Sequence, residues 1–294
     1  MRCALCGSES ELEESHIIPK FVYRTLKKNS PTGNMRMASE PNKKVQDGDK
    51  EKLLCGECED LFNIDETLFA NKVYHKFQQG TLQNFEYSEW LERFIISVNW
   101  RGLYLDIIGF VKEQNISVKD LEYLIECEKK LRNYLLGNSS SLEGIENHIF
   151  FFNEIQEANK EVAEMNLHSS VGSSVIGYTV VNNNPDGSYI FLNLQGLIMV
   201  TILNYSIGEE WRGTLVQKEG NFDLANPQFI RSPIMNEFKF ISSEIKDSQL
   251  NLSDTQKDKI LKAIQKNQEK FIKSNAYERV ERDNRLNEKY QNGE

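Results

Sequence analysis

Two Cys-x-x-Cys pairs, Cys3/Cys6 and Cys55/Cys58, constrain this chain more than any other feature. The N-terminus, Met-Arg-Cys-Ala-Leu-Cys-Gly, lacks the apolar core of a signal peptide, and no apolar run approaches the roughly 20 residues that span a bilayer. A cytoplasmic protein with no membrane partner is the expectation. In a reducing cytosol, paired Cys-x-x-Cys units read as a metal site rather than disulfides. Four thiolates on two tight turns suit a closed, tetrahedral structural Zn2+ site. The loop between the pairs is longer than in a compact zinc ribbon and must hold an insertion. Cys127 lies in a helical pattern and reads as a small buried apolar residue.

The remaining pattern gives an α+β chain in three parts. Residues 1–80 form the zinc module, 81–147 a helical connector, and 148–294 an α+β domain with a long C-terminal helix, read as regulatory or oligomerising. In the connector, Tyr87, Trp90, Leu91, Phe94, Ile95, Val98 and Leu103 recur at helical spacing, and a second helix over 118–136 stops at Gly137-Asn138. Further on, Val171–Val181 is rich in β-branched residues. The turn signal Asn184-Pro185-Asp186-Gly187 follows, and then the apolar run Tyr189–Leu203, so one strand, a turn and one or two more strands are expected. Ser253-Asp254-Thr255-Gln256 reads as a capping box opening the terminal helix, which turns polar and frays after Tyr277. The tryptophans, Trp90, Trp100 and Trp211, are expected in the core.

Charge divides the chain unevenly. The formal net charge of −9 excludes a generally basic, histone-like binder. Yet residues 17–46 hold Lys20, Arg24, Lys27, Lys28, Arg36, Lys43 and Lys44 against one acid, Glu40. This insertion is either a solvated loop or a set of phosphate contacts for nucleic acid. His75 reads as a packing or surface residue, and His148 and His168 receive no role.

Ten residues after Cys6 stands His16, within Glu14-Ser15-His16-Ile17-Ile18-Pro19-Lys20, and the second pair sits in Leu53-Leu54-Cys55-Gly56-Glu57-Cys58-Glu59. Together these resemble the HNH endonuclease family, with its zinc-stapled treble-clef (ββα-metal) core, over roughly residues 1–70. The resemblance implies metal-dependent cleavage of DNA, most simply double-stranded, with His16 as general base and Mg2+ or Mn2+ as catalytic ion. The near-neutral reference range of histidine suits that task. Relatives of this kind with extra domains often serve bacterial defence or mobile elements, including antiviral systems, under a regulatory protein partner or as a homo-oligomer.

The chain departs from the family pattern at three places. Ser15 stands where Asp often precedes the histidine, Glu59 where His or Asn often follows the last cysteine, and Lys50 where an Asn usually orients the catalytic loop. A hard-cation site would then be rebuilt from Glu59, Asn63 and Glu66, at i, i+4 and i+7 of one helix, with Glu14 reaching in from the hairpin. The alternatives are a solvated acidic helix face, or a non-catalytic zinc module that recognises nucleic acid or a partner protein. In the latter case residues 148–245 act as a sensor or interaction platform.

Overall fold

The computed structural model describes residues 1–152, 155, 159–181 and 187–291. It is an α+β fold whose N-terminal part is a short antiparallel hairpin, β1 (Glu14–His16) against β2 (Lys50–Lys52). Between them come α1 (Lys20–Asn29) and an irregular loop, so the first third of the basic insertion is helical. Pro19 sits immediately before α1, where its fixed φ and missing N–H cost nothing. After β2, α2 (Gly56–Phe69) starts directly behind Cys55 and runs through a π-helical turn into α3 (His75–Gln78).

Next come β3 (Asn84–Tyr87), the 25-residue α4 (Glu89–Glu113) and α5 (Val118–Leu135). The side chain of Ser117 caps α5 by accepting from the Asp120 amide. By length and composition α4 could cross a bilayer, but in this fold half of its apolar window is buried. Trp90, Leu91, Phe94, Ile95, Ile96, Val98, Trp100 and Leu103 are all buried. It is the core helix.

A four-stranded antiparallel sheet follows, in the order β4 (Glu146–Phe151), β7 (Leu197–Asn204), β6 (Ser188–Leu194), β5 (Val175–Val181). Two short helices, α6 (Lys160–Glu164) and α7 (Leu167–Gly172), precede β5, so Val171 is helical rather than part of the expected strand. β6 and β7 are buried almost throughout because the sheet is covered on both faces. Gln195 and Gly196 close their hairpin with φ of 56° and 88°, as a two-residue primed turn requires. The expected turn at Asn184, Pro185 and Asp186 falls outside the described residues. Gly187 has φ +71°, and a Cβ there would lie 2.7 Å from the Asn204 carbonyl oxygen.

Three short strands, β8 (Glu210–Arg212), β9 (Gly220–Asp223) and β10 (Phe229–Arg231), complete the β structure, β9 pairing back onto β3. The helical C-terminus comprises α8 (Met235–Leu250), α9 (Asp254–Lys266), α10 (Gln268–Ile272) and α11 (Asn275–Gln291). Ser253 starts α9 through its main-chain oxygen and not through a side-chain cap, unlike the expected capping box. Nor does the chain fray after Tyr277. Asp283 and Leu286 of α11 are buried, because Asp283 docks onto α7.

The hydrophobic cores run across the boundaries drawn from sequence. Val22, Phe69, Tyr74, Phe94, Ile149, Leu192 and Met199 share one cluster, and Phe69 stacks on Phe94 with ring centroids 3.9 Å apart. The cysteine module is thus seated on α4, and α4 on the sheet. Trp90 and Trp100 are buried as expected, whereas Trp211 is only half-buried at the margin of the sheet cluster.

Candidate metal centre and hairpin site

The four cysteines converge. Their sulfur atoms all lie within 4.8 Å of one another, and Cys6 Sγ is 3.8 Å from Cys55 Sγ. A tetrahedral ion with 2.3 Å bonds to sulfur needs sulfurs roughly 3.8 Å apart, so the set fits a zinc ion. Among the described residues it is the one group of three or more His, Cys, Asp or Glu ligands close enough to share an ion.

Each pair is shaped locally. In the first knuckle the Gly7 amide donates to the Cys3 carbonyl, and Gly7 takes φ +76° to turn the chain back. In the second, Cys55 is the N-cap of α2 and Cys58 lies in its first turn, so the positive end of the helix faces the thiolates. The Cys55 amide also donates to Cys3 Sγ at 3.4 Å. Hydrogen bonds from the Ser8 side chain and amide lower the Cys6 thiol to about 6. Burial and the neighbouring thiols push Cys58 well above its ordinary range. A bound dication reverses that cost by holding the thiolate outright. The module is thus built for a cation.

The same hairpin sets His16. Along β1 side chains alternate, so Glu14 and His16 share one face and Ser15 the other. Ser15 is buried, and its Oγ accepts from the Leu54 amide at 3.2 Å, one residue before the second knuckle. Ser15 therefore ties the hairpin to the cysteine site and faces away from His16.

His16 Nε2 meets Asp47 Oδ1 at 3.1 Å, and Lys50 Nζ meets Asp47 Oδ2 at 2.8 Å. Desolvation raises the Asp47 carboxyl, but the bonds from Lys50, His16 and the Gly48 amide outweigh it and hold the group well below the usual carboxylate range. Among the described residues His16 Nδ1 makes no hydrogen bond. From the other side, the buried Arg101 donates to the His16 carbonyl oxygen and to Glu66 Oε1, each at 2.7 Å. Its Nε donates to the Ser97 carbonyl, and the guanidinium lies 5.4 Å over the Phe62 ring. One cation on α4 thereby joins the hairpin, α2 and the core.

The candidate hard-cation ligands are not brought together. Glu66 is paired with Arg101, and Glu14 is exposed on the hairpin opposite Lys52. Asn63 is exposed on α2. Glu59 follows Cys58, with Oε1 buried and without a hydrogen-bond partner. The acidic stripe on α2 is real as helical geometry, but the packing of α4 draws Glu66 out of it.

The basic residues spread around α1 and its loop. Lys20, Arg24, Lys28 and Lys44 are exposed. Lys43 pairs with Glu40 at 3.2 Å, and Lys27 Nζ donates to the Gln46 carbonyl at 2.7 Å. Arg36 donates to the Pro41 carbonyl and to Gln256 Oε1 on α9. His75 packs edge-on to Phe21, with ring centroids 6.0 Å apart, in line with a packing role.

The sequence reading missed Asp47 and Arg101. Asp47-Gly48 is a turn dipeptide starting three residues before β2 begins, which was a weak local signal. Arg101 carried none, since a lone cation in an apolar helix pattern reads as surface. No family model, curated protein or solved structure matches this chain.

Proposed function

We propose that this chain is a zinc-stapled, HNH-like endonuclease in which His16 activates water against a DNA phosphodiester. The observation that carries the reading is the Asp47–His16 pair on a hairpin anchored between the four-cysteine cluster and α2. A strand, a second strand and a helix surround one histidine, and a carboxylate fixes its ring.

In this reading Asp47 accepts the Nε2 proton. That sets the tautomer and leaves the Nδ1 lone pair to take a proton from water. The hydroxide attacks phosphorus, the P–O bond to the leaving oxygen breaks, and that oxygen takes a proton from solvent. Lys50 keeps Asp47 ionised, and Arg101 fixes the main chain beneath the ring. Because Glu14, Glu59 and Glu66 do not surround one point, no resident hard-cation site is assigned to them, and these steps use the chain's own side chains alone. Magnesium or manganese entering with the substrate phosphates would supply neutralisation of charge on the leaving oxygen.

A second reading, a zinc module that binds nucleic acid or a protein without cutting, draws support from two features. Ser15 faces inward, and Glu66 is committed to Arg101. The deciding experiment incubates the purified zinc-loaded protein with supercoiled plasmid and magnesium or manganese. Nicked or linear product is expected. No cleavage of duplex or single-stranded DNA with either metal would favour the second reading.

A further inference from the structure

A cleft of about 850 Å3 opens between the C-terminal end of α1 and the α9–α10 corner. Lys27 and Lys28 stand on one wall, Lys270 and Lys273 on the other. Among the described residues no carboxylate lines it. Four ammonium groups around one concavity repel one another, and a polyanion relieves that repulsion. The concentration is local: residues 254–275 carry six lysines against three acids, whereas 275–291 hold four basic and four acidic residues.

The two walls are held together by long-range hydrogen bonds. Arg36 reaches Gln256 Oε1 at 2.9 Å, Asn42 Nδ2 donates to the Asn251 carbonyl at 2.9 Å, and the Ser253 amide donates to Asn42 Oδ1 at 2.8 Å. The cleft also adjoins the hairpin site. Gln46 lines it and accepts from Lys27, and the next residue, Asp47, holds His16.

We infer that this cleft is a DNA-binding groove, in which Lys27 and Lys28 with Lys270 and Lys273 grip the phosphate backbone from two sides and lead it to His16. The inference rests on the reading of the chain as acting on DNA, and adds that the C-terminal helices supply half of the substrate surface. Backbone contacts of this kind are sequence-independent and release counterions.

The test uses the full zinc-loaded chain, a labelled DNA duplex and several salt concentrations, without added magnesium or manganese. The double variant Lys270→Glu/Lys273→Glu should bind more weakly at low salt, and the slope of log affinity against log salt should shrink by about two. The charge-removing Lys270→Gln/Lys273→Gln should shrink the slope similarly, which covers a folding failure of the first. Lys112→Glu/Lys119→Glu, outside the cleft, should match wild type. Wild-type affinity and slope in both cleft variants, an equal loss in the control, or no DNA binding by wild type would overturn the groove. Plasmid cleavage run in parallel separates the two claims. Cleavage by wild type with unchanged binding in the cleft variants overturns the groove alone. Weakened binding in those variants with no cleavage by wild type overturns catalysis and leaves the groove.

Discussion

The guanidinium of Arg101 donates to the main-chain oxygen of His16 at 2.7 Å, so the core helix holds the candidate base by its backbone. Arg101 is 1 % exposed, and its other terminal nitrogen meets Glu66. Truncating one partner of a buried pair leaves the other charge unpaired, at a cost of about 3–5 kcal/mol. Arg101→Ala should lower stability by that order in denaturant titrations and reduce any His16-dependent activity together with it. Glu66→Ala should destabilise in the same direction, and added manganese should not restore its activity. Rescue by manganese would return Glu66 to the role of metal ligand.

The cysteine cluster should hold one metal ion. Elemental analysis of the purified chain should find about one zinc per molecule, and Cys55→Ser should abolish it. Hydrogen exchange in the variant should rise more over residues 1–70 than over 150–290, since the ion is part of the folding energy of the module. An intact fold with no more than trace zinc would contradict this.

His148 gives the fold a pH dependence. It is buried against Thr214 and Tyr205, and burial lowers its pKa from 6.5 to about 4. The unfolded chain therefore binds the proton more readily, and stability is full above the unfolded value and falls as pH drops from about 6.5 to 4. The amplitude is at most about 3 kcal/mol. Thermal denaturation between pH 4 and 7 should show this loss, and His148→Phe should flatten it. An unchanged pH profile in the variant would assign the slope to other groups.

Asp283 should anchor the C-terminal helix. Its Oδ1 accepts from the amide and Nδ1 of His168, and its Oδ2 from the Ser169 amide, while His168 Nε2 accepts from the Ile155 amide. These bonds give the imidazole one tautomer and satisfy the start of α7 from a helix over a hundred residues away. Asp283→Ala leaves a buried histidine and two amides without their acceptor, a loss of several kcal/mol on the scale of broken buried pairs. Limited proteolysis should then cut within α11 far faster than in wild type.

What could be read in advance followed from local chemistry. Cysteine spacing fixes a metal knuckle within four residues, and α4 and α5 announced themselves by their apolar periodicity. Three strands of the sheet, β5 to β7, were visible in their β-branched and apolar runs, whereas its edge strand β4 was not. The unread parts all depend on distant partners. Asp47 matters because a hairpin returns it to His16, 31 residues earlier. Asp283 sits in a polar stretch that reads as fraying, yet its acceptors face α7. The lysines of α9 and α10 are interspersed with three acids along the chain, but the corner at Asn267 sets Lys270 and Lys273 opposite α1. Ser15 looked like a lost metal ligand, and its burial shows a tie to Leu54 instead.

The central claim is that His16 is the group that activates water. Plasmid cleavage by His16→Ala, with zinc content and DNA affinity measured on the same preparation, tests it most directly. The account predicts a fall in rate of about 10²–10⁴ with zinc and affinity near wild type. Cleavage at the wild-type rate by this variant would contradict it and place the chemistry elsewhere in the chain.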